Sequence, residues 1–363
     1  EENYEILSKQ GNHLPSKQYY FKSSITWSLI SSYSFGARMC KQGFVFDVGG
    51  SSAFTKVTNI NLILGLLSSK LSTIFLQALN PTANMQVGDV ASIPFLTYSL
   101  KIYESKIIQI VDLLVEITAN DLDNNETSWD FKLFLLLKDE FRSDSLQKSY
   151  TSVKQFWQSE IDNMKRLEEN NNNIFIKAYG LEDELTPEIP LKEITLTCNP
   201  YYRYDAKKSK EELDALQLAD TMKEYISYAV GVMLGRYSLG HDGLHVANQN
   251  ESLDEANAKF NIQNPTFEAD DDNVIPILDG DWFTDDISER FLQFVKVTFG
   301  EEHYEENIKF IEDAIGKSIR KYFLKDFYTD HVQRYKKRPI YWMFSSSKGS
   351  FQALIYMHRY KSD

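Results

Sequence analysis

The sequence predicts an α+β protein, with a β-rich lobe first and helical and mixed lobes after it. Three observations predict this. Residues 17–60 are dense in aromatic, Ser and β-branched residues, and turn signals break them at Gly43 and at Gly49-Gly50. From residue 59 onward, apolar residues recur at helical spacing over several long stretches. Residues 339–360 return to an aromatic, strand-like pattern.

The elements follow in order. Residues 19–27 and the run Gly43-Phe44-Val45-Phe46 read as strands, the second ending in the turn Asp47-Val48-Gly49-Gly50. Leu62, Ile63, Leu66, Leu67 and Leu71 predict one helix of about 18 residues over 59–80, which Asn80-Pro81 ends. Ile102, Ile107, Ile110, Leu113, Leu114 and Ile117 predict a helix over 99–119. A further helix is expected over 143–170 and should stop at the run Asn170-Asn171-Asn172-Asn173. Ile194-Thr195-Leu196-Thr197-Cys198 reads as a strand. Residues 211–236 read as a helix broken by Gly231 and Gly235, and 246–286 as an acidic surface segment with little structure of its own. Residues 287–330 are helical by the spacing of Ile287, Phe291, Phe294, Val295, Ile308, Ile311, Ile315 and Ile319. The domain boundaries expected are 1–98, 99–200 and 201–363.

Composition excludes several classes. The 363 residues are 42% hydrophobic and 25% charged, which excludes wholesale disorder. No stretch approaches the roughly 18 apolar residues of a membrane span, so no membrane partner is expected. The chain begins Glu1-Glu2-Asn3-Tyr4, without Met and without a signal-peptide pattern, as expected of a fragment or a processed chain. Cys40 and Cys198 cannot form a disulfide framework or a four-ligand zinc site, and a reducing cytoplasm is the expected compartment. The net charge of −13 is uneven. Residues 251–290 carry twelve Asp/Glu against Lys259 and Arg290, a net of −10, whereas 317–363 carry eleven Lys/Arg against three Asp, a net of +8. Residues 1–70 hold seven Lys/Arg against four acids. Basic segments of this kind are the electrostatic footprint of phosphate binding.

Several motifs suggest chemistry and are weaker than they look. Asp47-Val48-Gly49-Gly50-Ser51-Ser52 resembles a cofactor loop, but the residues after it start no clear helix, and a tight turn is the better reading. Asn199-Pro200-Tyr201-Tyr202 resembles the Asn-Pro-Pro-Tyr motif of adenine methyltransferases, with Tyr in place of the second Pro. His241 and His245 have helical metal-ligand spacing, but Gly240 and Gly243 favour a loop and no acidic partner is in register, so no metal is expected. Lys336-Lys337-Arg338, Tyr341-Trp342, Lys348-Gly349 and His358-Arg359-Tyr360 interleave cations with aromatics, the composition of a nucleic-acid surface.

Taken together, the segments are more specific. Ile25-Thr26-Trp27-Ser28, Gly43-Phe44-Val45-Phe46-Asp47 and Leu64-Gly65-Leu66-Leu67-Ser68-Ser69-Lys70 resemble the target-recognition region of type IIG-like DNA adenine methyltransferases. Pro81-Thr82-Ala83-Asn84, Val87-Gly88 and Ile93-Pro94 look like its close. Glu126-Thr127-Ser128-Trp129-Asp130-Phe131, Tyr179-Gly180-Leu181, Glu184-Leu185-Thr186-Pro187, Gly235-Arg236-Tyr237-Ser238-Leu239 and Lys337-Arg338-Pro339-Ile340-Tyr341-Trp342 resemble the PglX family. That family comprises the adenine-specific methyltransferases of BREX phage-defence systems. The resemblance covers nearly the whole chain, from Phe21 to Tyr360.

The resemblance implies site-specific recognition of double-stranded DNA within an enzyme that methylates adenine N6 using S-adenosylmethionine. It places the cofactor loop and the catalytic Asn-Pro-Pro-Tyr motif upstream of the recognition region, so the methyl donor's site is expected outside this chain, which alone should be catalytically silent. Both look-alike motifs are set aside on that ground. Lys22, Ser23, Thr26, Trp27, Ser28, Arg38 and Lys41 are the expected base or groove contacts, and Lys336, Lys337, Arg338 and Lys348 the expected phosphate contacts. The alternative is a protein-interaction module, with other BREX subunits or a phage DNA-mimic inhibitor as partners.

Overall fold

The computed structural model describes all residues except 1, 12–13, 15, 32–34, 57, 281, 348, 350 and 361–363. It is α+β, as the sequence predicts, with two three-stranded antiparallel sheets among many helices. The chain divides into two compact units. One comprises residues 1–118 and 162–194, the other residues 119–161 and 195–363.

The first unit holds strands β1 (Ser24–Ser28), β2 (Ala37–Cys40) and β3 (Gly50–Ala53), ordered β2-β1-β3. Alternation along β1 buries Ile25 and Trp27, while Thr26 and Ser28 lie on the opposite face. The predicted strand at Gly43-Phe44-Val45-Phe46 does not form. That segment makes a two-bond link instead, Phe21 N–H to the Phe44 carbonyl and Gly43 N–H to the Phe21 carbonyl. Helix α1 (Glu2–Lys9) precedes the sheet. Helices α2 (Ile60–Leu67), α3 (Lys70–Leu79), α4 (Val87–Ala91) and α5 (Thr97–Lys101) follow it.

The single helix expected over 59–80 is thus two helices, bent by 69°. The hydroxyls of Ser69 and Ser72 both donate to the Leu66 carbonyl at 2.6 Å, taking an acceptor that a continuing helix would use. Among the described residues, no single helix is long and apolar enough to cross a membrane.

Two long helices, α6 (Glu104–Asp123) and α7 (Leu146–Tyr179), have residues in both units. The Asn run does not end α7, which passes through it. Asn171 and Asn172 are buried and serve neighbouring backbone. Asn171 Nδ2 donates to the Gly65 carbonyl at 2.8 Å, and Asn172 Oδ1 accepts the Lys70 N–H at 2.9 Å. The side chains satisfy the orphan groups where α2 ends and α3 begins.

The second unit is built on α9 (Lys210–Met233), preceded by the one-turn helix α8 (Pro200–Arg203). Gly231 does not break α9. A Cβ there would lie 2.5 Å from the Tyr237 ring, so glycine allows a close approach. Gly235, at φ +76°, does end the helix: the Arg236 N–H reaches back to the Gly231 carbonyl at 2.8 Å. The predicted strand at 194–198 is absent, because the Asp121 carboxylate takes the N–H groups of Thr197 and Cys198 that a sheet would need.

The acidic stretch is also structured. It contains α10 (Leu253–Lys259), with a Ser252/Glu255 capping box, and β4 (Val274–Ile277). Helices α11 (Ile287–Phe299), α12 (Tyr304–Ile315), α13 (Ile319–Lys325) and α14 (Phe327–Arg334) follow. Strands β5 (Tyr341–Ser345) and β6 (Gln352–Tyr356) complete a sheet ordered β4-β6-β5. Tyr225, Tyr228, Phe291, Phe294, Phe323 and Tyr341 lie in one aromatic-rich core.

Candidate nucleic-acid interface

Each unit presents a basic, polar surface. In the first unit, strand pairing sets Arg38, Thr26 and Ser52 in one row across β2, β1 and β3. Ser28 lies two residues along β1 on the same face. Arg38 and Ser28 are exposed, and Thr26 is half-buried with its hydroxyl donating to the Ser51 carbonyl at 3.0 Å. Arg38 Nη1 donates to the Ala37 carbonyl at 2.9 Å. Trp27 is only 3% exposed, and its indole N–H donates to the Met85 carbonyl at 3.0 Å. Lys41 is exposed just past β2.

Lys22 and Ser23 line an open cleft of about 480 Å³ with Tyr19, Phe54, Lys56 and Asn59. Lys22 Nζ lies 5.7 Å from the centre of the Tyr19 ring. Sequence reasoning missed Lys56 and Asn59. They stand on the far side of β3 in the chain, and no local pattern links them to Lys22.

Residues 17–58 carry Lys17, Lys22, Arg38, Lys41 and Lys56 against a single acid, Asp47. That carboxylate accepts the Gly50 N–H at 2.9 Å, closing the turn into β3. The Asp47-to-Ser52 segment is therefore a turn leading into a strand. Asn199 caps α8, its Oδ1 accepting the Tyr201 N–H at 3.1 Å.

Beside this sheet, Glu168 on α7 is held near the Arg38 guanidinium. Burial pushes its carboxyl up to about 7, against the pull of Arg38, with Glu193 and Glu169 raising it further. A raised carboxyl favours the fold fully below its unfolded value of about 4.5, and that benefit fades as pH rises through 7. Glu168→Gln is expected to stabilise the first unit by about 1–3 kcal/mol at pH 8 and to have little effect at pH 4. Urea unfolding at the two pH values checks this, and equal effects at both would refute it.

In the second unit, Lys336, Lys337 and Arg338 are exposed at the end of α14. Lys336 and Lys337 have φ of 50° and 64°, left-handed values rare outside glycine. The Lys337 N–H reaches the Val332 carbonyl at 2.8 Å, so lysine occupies a helix stop where glycine is usual. The three cations make no ion pair among the described residues. His331 fixes the far side of this turn: its Nε2 accepts the N–H groups of Ile340 at 3.0 Å and Tyr341 at 3.1 Å. Lys348 lies outside the described residues.

Other candidates resolve differently. A cleft of about 410 Å³ includes Arg203, Lys223, Glu224, Asp330 and Arg334, which sequence reasoning did not single out. Its cations are paired, Arg203 with Glu224 at 2.8 Å and Lys223 with Asp330 at 3.1 Å. His241 Nε2 meets His245 Nδ1 at 3.0 Å, and the His241 ring stacks on Phe260. Among the described residues, no three His, Cys, Asp or Glu are placed to hold a metal ion. Cys198 is buried, and burial, helped by Asp121, pushes its thiol far up and keeps it protonated.

No protein-family model matches the chain. It is 34% identical over 372 residues to the adenine-specific methyltransferase BrxX of Escherichia coli O9:H4 (strain HS), covering 98% of this chain and 30% of that protein. It is also 34% identical over 368 residues to the adenine-specific methyltransferase PglX of Lacticaseibacillus casei (strain Zhang), covering 96% of this chain and 28% of that protein. The chain is a partial homologue of the BrxX and PglX methyltransferases. The chain spans less than a third of the length of these curated relatives, while the relationship runs through nearly all of its own length. Both sheets and both basic surfaces therefore lie within the region related to BrxX and PglX.

Proposed function

We propose that this chain is the duplex-DNA recognition part of an adenine N6-methyltransferase of a BREX system, with S-adenosylmethionine bound outside it. The observation that carries this reading is the row Arg38–Thr26–Ser52 across a three-stranded sheet, in a segment with five Lys/Arg and one Asp. Hydrogen-bonding side chains on a fixed scaffold read base edges, and surrounding cations set the register on phosphates. In this reading Arg38, Thr26, Ser28, Ser23, Lys22 and Lys41 face the DNA. Trp27 acts from beneath, holding β1 in place. Lys336, Lys337 and Arg338 bind phosphates without reading sequence. Methylation requires the adenine to leave the stack, and these residues hold the duplex while it does.

The test is duplex binding by the full-length protein, followed by anisotropy across a salt series. Lys336→Gly and Lys337→Gly relieve the left-handed backbone and should leave the fold intact. Together they should weaken binding to all sequences alike and reduce the log–log salt slope by about 2, since each phosphate no longer neutralised removes about 0.9. Arg38→Ala should instead change site preference. Unchanged slope and unchanged preference would refute these assignments. Binding that depends weakly on salt would favour the alternative, docking of other BREX subunits or a DNA-mimic inhibitor.

A further inference from the structure

The sheet of the second unit packs one face into the core, and on its other face β5 carries two exposed rings. Tyr341, Leu354, Tyr356 and Ile275 are buried on the inner face. The alternate positions on β5, Trp342 and Phe344, point the other way and are 50% and 52% exposed. Strand register sets Trp342 opposite Ile355 and Phe344 opposite Ala353, so both rings stand on one sheet face. They are two residues apart, a spacing of about 7 Å along the strand.

Along the chain, the charge beside them has one sign, while Asp270, Asp271, Asp272 and Asp279 flank β4 at the far edge of the sheet. Residues 331–360 contain six Lys/Arg and no Asp or Glu. Lys336, Lys337 and Arg338 lead directly into β5, exposed and without ion pairs among the described residues. Two aromatic rings next to a run of exposed cations suit an anionic partner that also offers flat apolar faces. Nucleic-acid bases are such faces, but in a duplex each base is covered by its neighbours. That backbone spacing is also about twice the 3.4 Å rise of one duplex strand. It suits bases that have been pulled apart.

We propose that Trp342 and Phe344 form a stacking platform for unpaired bases of single-stranded DNA, with Lys336, Lys337 and Arg338 holding the adjoining phosphates. This rests on the DNA reading above and extends it. Extruding an adenine for methylation leaves unpaired nucleotides, and the platform gives them a surface.

The experiment titrates the full-length protein with a twelve-residue oligo(dT) and separately with a duplex, by anisotropy and by tryptophan emission. The wild-type protein should bind oligo(dT) with quenching of indole emission, and Trp342→Phe should bind while losing that quenching. Trp342→Ala and Phe344→Ala should each weaken oligo(dT) binding about 5- to 100-fold and leave duplex binding within about twofold. Trp342→Phe keeps the β propensity and the ring, so its retained binding separates a missing stack from a missing fold. Duplex binding without oligo(dT) binding overturns the platform alone. Absence of both overturns the DNA reading as well. Oligo(dT) binding unchanged by both alanine variants, or binding of anionic phosphatidylserine vesicles in place of oligo(dT), also overturns the platform.

Discussion

Asp286→Ala is expected to destabilise the second unit by about 3–5 kcal/mol. Asp286 is fully buried, although it belongs to a stretch with a net charge of −10. One oxygen accepts the Ser288 and Glu289 N–H groups at 2.8 and 3.0 Å, capping α11. The other receives Arg320 Nη1 at 2.7 Å. Arg320 in turn donates to the carbonyls of Leu278 and Gly280, both at 3.2 Å. Removing the carboxylate uncaps a helix and leaves a partly buried guanidinium without its best acceptor. Asp286→Asn keeps the cap and loses only the charge, so it should cost about 1–3 kcal/mol. Urea unfolding of both variants tests this ordering. A loss below about 1 kcal/mol for the alanine variant would show that the network carries little stability.

Acid should loosen the same unit through His331, by about 3–5 kcal/mol between pH 6.5 and pH 3. Burial holds this imidazole neutral and pushes it down to about 3, with Arg334 and Arg236 opposing protonation further. Its Nε2 must stay an acceptor for the two N–H groups that start β5. The unfolded chain binds a proton below about 6.5 and the native one does not until about 3. Stability is therefore complete above 6.5 and falls as pH drops through that window. His331→Gln removes the titration and keeps an acceptor, so it should be less stable at pH 7 and show a flatter profile between pH 6.5 and 4. Parallel profiles for the two proteins would rule out His331 as the cause. The turn carrying Lys336, Lys337 and Arg338 is anchored here, so the proposed phosphate contacts and acid stability share one residue.

Periodicity made much of this protein legible. The helical spacing over 287–330 and the aromatic pattern over 339–360 correspond to α11–α14 and to β5–β6. The errors share a cause: the partner of each backbone group was invisible. The Asn run reads as a helix stop because Asn competes for local backbone, yet Asn171 and Asn172 spend that capacity on α2 and α3. Residues 194–198 read as a strand by composition, yet Asp121 takes their N–H groups. The acidic segment reads as solvated, yet Ile275 and Ile277 are buried and Asp286 lies in the core. Charge density alone does not say which carboxylates have partners.

The candidate interface divides the same way. Its cations, its aromatics and its kinship with BrxX and PglX are properties of the residue string. Composition and order set net charge, periodicity and homology, which need no folding to be read. Tertiary structure decided which side chains face out. It buried Trp27 while exposing Thr26's neighbours Ser28 and Arg38, and it turned Trp342 and Phe344 outward while Tyr341 went to the core. It also brought Lys56 and Asn59 to Lys22, and it fixed Lys336 and Lys337 in left-handed backbone that His331 borders. Those outcomes depend on strand register and on the pairing of residues distant in sequence, and a one-residue slip in register would reverse every face.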